Sequence, residues 1–199
     1  MCDNFSAALF AAALEPCAKG KSSEIAKTLI NKYGSLANVL SKGIEELEGQ
    51  VGASVATHIK LLAYVTSRRG TEKLKLGRCY TDDELADYFK SVYLGIHVEM
   101  IYVMIFDEAG RSVAVANVGE GTVSGSEILT RKMLEVAMAH EARSVLIVHN
   151  HPSGDCYPSR GDVKFAAAIT TLLESVGIKV RGHMIIAGQR ANLMDYNLI

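Results

Sequence analysis

Cysteine is scarce and unpatterned. The four present, Cys2, Cys17, Cys79 and Cys156, form no CxxC pair and keep no regular spacing. That argues against a disulfide framework and a four-cysteine zinc site, and fits free thiols in a reducing cytoplasm. A charge excess is also lacking, with 21 Lys and Arg against 22 Asp and Glu, so composition offers no general attraction to nucleic acid. Residues 1–70 are faintly basic, eight against six, and the rest faintly acidic, thirteen against sixteen; neither bias names a partner. No apolar run reaches the roughly twenty residues of a membrane span. The stretch FSAALFAAAL covers only ten residues with no basic segment ahead of it, and reads as a core-facing helix. Internal repeats and low-complexity tracts are absent as well. What is present is globular composition: 49% of the 199 residues are hydrophobic, enough for a core in one or two domains.

The chain reads as two halves. Residues 1–70 carry helical patterns and no convincing strand. SSEIAKTLINKYG has Ser22 or Ser23 as cap, Ile25, Leu29 and Ile30 on one side, and Gly34 as stop; SVATHIKLLAYVTSRR is a longer helix with a basic end. The polar, glycine-broken segment 71–80 reads as a linker. From 81 to 199 the pattern changes: a helix capped by Thr81, a hairpin from HVEMIYVMIFD and SVAVANVG, then helix, strand, helix, strand and a short last strand. The expected class is α+β, a small all-α domain followed by a mixed sheet flanked by helices.

The densest chemistry lies in VHNHPSGDCYPSRGD, residues 148–162, directly after the strand-like RSVLI. Residues two apart in a strand share a face, so His149 and His151 point together and Asn150 points away. Ser159 precedes a helical run and is a natural N-cap; Asp162 falls in the first turn of that helix. The turn-rich loop between, with Pro152, Gly154 and Pro158, allows the helix start to fold back onto the strand end. Two imidazoles and a carboxylate then face one point, a three-ligand zinc set with a fourth position open for water. Alone, HxH is weak evidence for a metal, and S-x-x-D is by default a helix cap; the complete string placed at strand end, loop and helix start raises both.

That string, H-x-H-x(7)-S-x-x-D, resembles the signature of the JAMM (MPN-plus) metalloproteases, and HNHPSGD with the following PS and D resembles the RadC family within them. EIAKTLINKYGSLANVLS and LEGQVGASVATHIKLLAYVTSRR resemble that family's N-terminal helix-hairpin-helix region; GTVSGSEILTRKMLEVAMAHEARSVLIVHNHPSGD resembles its Gly-Thr segment, Arg-bearing helix (here Arg131) and metal loop. The resemblance implies a JAB/MPN domain of cytidine-deaminase-like fold, with His149, His151 and Asp162 as ligands of one zinc ion. It implies Ser159 as oxyanion donor and Glu99 as general acid/base, with Glu120 and Glu127 as alternatives near a glycine-rich loop. The implied reaction is hydrolysis of a peptide or isopeptide bond in a protein substrate. Asn150 and His183 are expected to support the site from behind.

Two departures stand out. The family's closing strand reads Asp-His where this chain has Gly182-His183 after Arg181, which suggests a missing site-wall carboxylate with a cation beside the gap. In the hairpin VGASVA, Gly52 is kept but Ser54 replaces a second glycine, so phosphate contact through Gly52 and Lys60 would be weakened. A non-catalytic module binding DNA or protein, with metal only ordering the loop, therefore stands as the second expectation. A metal-dependent nuclease is a weaker third. Cys156 lies within the loop but the ligand set is complete without it. β-rich edges make a homodimer an expectation; a membrane partner is not one.

Overall fold

The computed structural model describes residues 2–71, 74–121 and 127–194. The described chain divides into two compact units: one holds the chain through Thr71 with Ser91–His97, and the remainder forms the other.

The first unit is helical: α1 Cys2–Leu14, α2 Ser22–Tyr33, α3 Leu36–Leu40, α4 Ile44–Val51 and α5 Ala53–Thr71. Leu14, Leu29, Val39, Leu47 and Ile59 are fully buried at its centre, as amphipathic helices require. Ser22 does not cap α2. Its hydroxyl donates to the Glu15 carboxylate, and the helix begins instead at Lys21 without a side-chain cap.

Gly52 and Lys60, the two residues named for phosphate contact, make hydrogen bonds within this unit. The Gly52 N–H, at a positive φ of 79°, donates to the Glu48 carbonyl at 2.9 Å and so closes α4. The Lys60 ammonium is half-buried. It donates to the carbonyls of Gly95 (2.7 Å), Lys42 (2.9 Å) and Leu40 (3.3 Å), and desolvation lowers its pKa. Both groups expected to meet a phosphate are spent inside the fold.

The second unit is a five-stranded mixed sheet with helices on it. Its elements are most of α6 (Asp82–Val92), β1 Met100–Phe106, β2 Ser112–Glu120, α7 Glu127–Ala139, β3 Ser144–Asn150, α8 Arg160–Ser175, β4 Lys179–Ala187 and β5 Arg190–Met194. Strand order is β2-β1-β3-β4-β5, antiparallel throughout except for the β3/β4 pair, which α8 connects. Strand alternation sends Ile101, Val103, Ile105, Val145 and Ile147 to one face, where Met133 and Ala137 of α7 and Phe165, Ile169 and Leu173 of α8 cover them. Tyr102 points to the other face and meets Phe89 of α6. α6 has a capping box: Thr81 Oγ1 accepts from the Glu84 N–H, and the Glu84 carboxylate accepts from the Thr81 N–H. Within 71–80, the Gly77 N–H donates to the Ser112 carbonyl and the Ser112 N–H to the Arg78 carbonyl, so this stretch is tied to the start of β2.

Among the described residues no helix is long and apolar enough to cross a membrane.

Candidate metal centre

The site forms where the β3–α8–β4 crossover leaves the sheet. In such a crossover the carboxyl end of the first strand faces the start of the helix, a place where ligands collect. β3 carries His149 on the same face as Val145 and Ile147, fully buried, and His151 follows just past the strand end. The loop ends at Ser159, which caps α8: its Oγ accepts from the Asp162 N–H at 3.1 Å, while the Asp162 carboxylate accepts from the Ser159 N–H at 2.7 Å. The capping box that fixes the helix start thereby fixes the aspartate.

The three groups converge as the sequence reading expects. The Nε2 atoms of His149 and His151 lie 2.8 Å apart, and the Asp162 oxygens stand 3.3 Å and 3.4 Å from them. Each residue offers one ligand atom to a common point.

The far side of each ring is already engaged. His151 Nδ1 lies 2.7 Å from the Asp155 carbonyl, which can only accept, so this nitrogen carries the proton and Nε2 presents a lone pair. His149 Nδ1 lies 2.7 Å from His183 Nε2. Binding a cation at His149 Nε2 requires His149 Nδ1–H to donate to His183, which then holds its own proton on Nδ1. That atom is buried with no protein partner among the described residues. Burial pushes the His183 pKa down to about 3, so the ring is a neutral acceptor near neutral pH. Histidine ligands are oriented in this way from behind, more often by a carboxylate or carbonyl.

Burial alone would raise the pKa of the Asp162 carboxyl. Hydrogen bonds from both imidazoles and from Ser159 outweigh it and hold the group well below the usual carboxylate range. The Asp162 carboxylate, helped by the Asp155 carbonyl and the negative charge of Glu99, raises the His151 pKa against burial. Two lone pairs and a carboxylate directed at one another want a cation between them, and the donor set suits zinc.

Glu99 sits one residue before β1. It lies two residues from Ile101, whose register partner is His149, and its charge is close enough to raise the His151 pKa. Glu120 lies exposed at the end of β2, in register with Met100. The side chain of Glu127 lies outside the described residues, as does most of the Gly-Thr segment. Arg131 is largely exposed and paired with Glu135 at 2.7 Å. Cys156 and Glu120 do not enter the ligand cluster.

The reading of Gly182 is corrected. The β3/β4 register slips at Arg181: Val145 pairs Val180 but Leu146 pairs Gly182. This one-residue bulge reverses the alternation, so His183 reaches the metal face and Gly182 the opposite one. A Cβ at 182 would meet Leu193 and Leu146, away from the site. Nor does Arg181 stand beside a gap; its guanidinium lies over the Phe106 ring, 4.2 Å from the centroid, at the far end of β1 from Glu99.

Two supports escape a reading of the sequence. Asn192 of β5 donates to the Cys156 carbonyl at 3.0 Å, and Arg190 donates to the Gly154 carbonyl. They hold the loop on either side of Asp155, the residue whose carbonyl orients His151.

Residues 79–195 match the family model of the RadC-like JAB domain. The chain belongs to the RadC family. Curated relatives extend the likeness beyond the RadC domain itself. A UPF0758 protein of Cupriavidus taiwanensis is 26% identical over 186 residues, 92% of this chain and 82% of that protein. One of Chromobacterium violaceum is 28% identical over 171 residues, covering 84% of this chain and 76% of that protein. One of Vibrio parahaemolyticus is 29% identical over 166 residues, covering 82% and 74%. The RadC match spans the sheet unit and includes every metal-directed side chain described above, together with Glu99, Ser159 and His183.

Proposed function

We propose that this protein is a zinc-dependent amide hydrolase of the JAMM type, acting on peptide or isopeptide bonds. The observation that carries the reading is the convergence of His149, His151 and Asp162, each already held from behind, with the Ser159 hydroxyl at the same helix start and Glu99 near enough for its charge to raise the His151 pKa.

The two imidazole Nε2 atoms and the Asp162 carboxylate would hold the ion. A zinc ion so held would supply a Lewis acid and would lower the pKa of water toward about 7, so that hydroxide forms near neutral pH. Glu99 accepts the proton of the attacking water and returns it to the leaving nitrogen. Ser159 Oγ accepts the Asp162 N–H, which leaves its own O–H to donate to the oxyanion that develops on the scissile carbonyl. The buried His183 keeps the His149 tautomer in place, and the Asp155 carbonyl does the same for His151.

The test begins with zinc content of the wild type and of His149→Ala, followed by Glu99→Gln assayed on peptide, isopeptide and nucleic-acid substrates. Glu99→Gln is expected to retain zinc and to lose amide hydrolysis by about 10²–10⁴-fold. A zinc-loaded wild type that turns over none of these substrates would instead support the non-catalytic module. Cleavage of nucleic acid alone would move the assignment to a nuclease.

A further inference from the structure

The backbone around Glu99 is gripped from two sides. On the β2 side, its own carbonyl accepts from the Gly121 N–H at 2.8 Å. On the β3 side the groups that need partners are the Val98 carbonyl and the Met100 N–H, because alternate residues of a strand direct their hydrogen bonds to opposite neighbours. The β3 main chain cannot serve them. After His149 pairs with Ile101, the chain turns toward β4, and the His151 N–H donates to the Ile186 carbonyl at 2.8 Å. The side chain of Asn150 fills that place. Its Nδ2 donates to the Val98 carbonyl at 2.9 Å, and its Oδ1 accepts from the Met100 N–H at 2.7 Å. The carboxamide thus stands in for a peptide group of a continuing strand, and Asn150 is 97% buried while doing so.

We propose that Asn150 is a positioning residue for Glu99: its carboxamide pins the residues on either side of Glu99 and so sets where the carboxylate stands relative to His149 and His151. The assignment rests on the hydrolase reading for its consequence, since Glu99 matters to rate only if it handles protons. The geometry has a specific logic. Asn150 lies between the two histidine ligands in sequence, and its side chain points away from them. One tripeptide therefore places two metal ligands on one face and the acid/base carrier through the other. Aspartate keeps the acceptor for Met100 but loses the donor to Val98. Alanine loses both.

The experiment uses the full-length, zinc-loaded chain carrying Asn150→Ala or Asn150→Asp, each also combined with Glu99→Gln. Zinc is expected to stay at the wild-type stoichiometry. Turnover of an amide substrate is expected to fall on the order of 10–100-fold in Asn150→Ala, the usual effect of losing a group that orients site residues, with KM changed less than about twofold. In the Glu99→Gln background the same change is expected to cost less than about twofold, because both substitutions remove one function. Amide hydrogen exchange at Met100, read without substrate, is expected to be at least about tenfold faster in Asn150→Ala and near wild type in Asn150→Asp. Loss of zinc would overturn the proposal by showing that Asn150 places the ligands. Full additivity with Glu99→Gln, or unchanged turnover, would overturn it too. If the wild type cleaves no substrate, the hydrolase reading fails on its own. The exchange rate still decides the clamp, and a Met100 amide equally protected in Asn150→Ala removes it. Should Asn150→Ala not fold, Asn150→Asp carries the test, with a smaller loss of turnover expected and retained turnover overturning the proposal.

Discussion

Each unit of this molecule holds a cluster of inward-facing polar groups, and the two are built on opposite plans. In the helical unit a cation, Lys60, is enclosed by three carbonyls of its own chain. In the sheet unit two imidazole Nε2 atoms and a carboxylate face one another without a side-chain cation of their own among the hydrogen bonds and ion pairs of the described residues. The first cluster is complete and closes the end of α3 against the turn at Gly95, as buried polar groups usually do. The second is completed only by a proton or a metal. A self-satisfied cluster should matter to stability and not to chemistry; an unfilled one should matter to chemistry first.

The comparison breaks most sharply at Asp162. Asp162→Ala removes the only carboxylate of the metal set and one half of the α8 capping box. Zinc content is expected to fall to background, and amide hydrolysis by more than about 10³-fold, since the nucleophile depends on the ion. Elemental analysis and an activity assay of the same preparation check this. Full zinc occupancy in the variant would mean that the ion is held elsewhere, and the contrast between the clusters would lose its basis.

Ser159→Ala sharpens the contrast within the sheet unit, because Ser159 caps α8 and, in the proposed hydrolase, also donates to the oxyanion. As a cap it is worth about 1 kcal/mol; as an oxyanion donor it is worth about 3 kcal/mol in the transition state, or on the order of 10²-fold in kcat. The expected result is therefore a small loss in thermal stability with zinc retained and a much larger loss in kcat. Equal small losses in both would reduce Ser159 to a helix cap.

How far the sequence led differs between the clusters for the same reason. The metal set was legible because each of its parts is local. Two histidines at strand spacing share a face, and a serine three residues before an aspartate caps a helix; neither inference needs knowledge of which strands are neighbours. The partners of Lys60 were not legible, because they lie at Leu40, Lys42 and Gly95, remote in sequence. The His183–His149 contact depends on the parallel register of β3 and β4, and Asn150's grip on Val98 and Met100 depends on the register of β1 and β3. Gly182 was assigned to the wrong face because one bulged residue, Arg181, reverses the alternation that strand reading assumes. Glu99 was read from parity with Ile101, and no bulge in β1 interrupts the run from Met100 that this reading uses.

Lys60→Met tests the completed cluster. The apolar replacement keeps most of the side-chain volume and deprives three carbonyls of a charged donor, which should cost about 2 kcal/mol of stability. Urea unfolding is expected to show this loss with zinc content and turnover per folded molecule unchanged. A drop in zinc would mean that the two clusters are coupled.

Gly182→Ala is expected to do least, and its smallness is informative. The new Cβ would come within 2.8 Å of Leu193 Cδ1, the end of a flexible side chain that is 38% exposed and has room to rotate. The cost of moving that methyl is offset by the entropy alanine removes from the unfolded chain, so the net change should stay within about 1 kcal/mol of zero. Because the bulge at Arg181 turns residue 182 to the face opposite His183, zinc affinity should change less than about twofold. Metal titration of the variant decides between the two faces. A several-fold change in affinity would place position 182 in the wall of the site after all, and would mean that β4 runs in the register that unbroken alternation predicts.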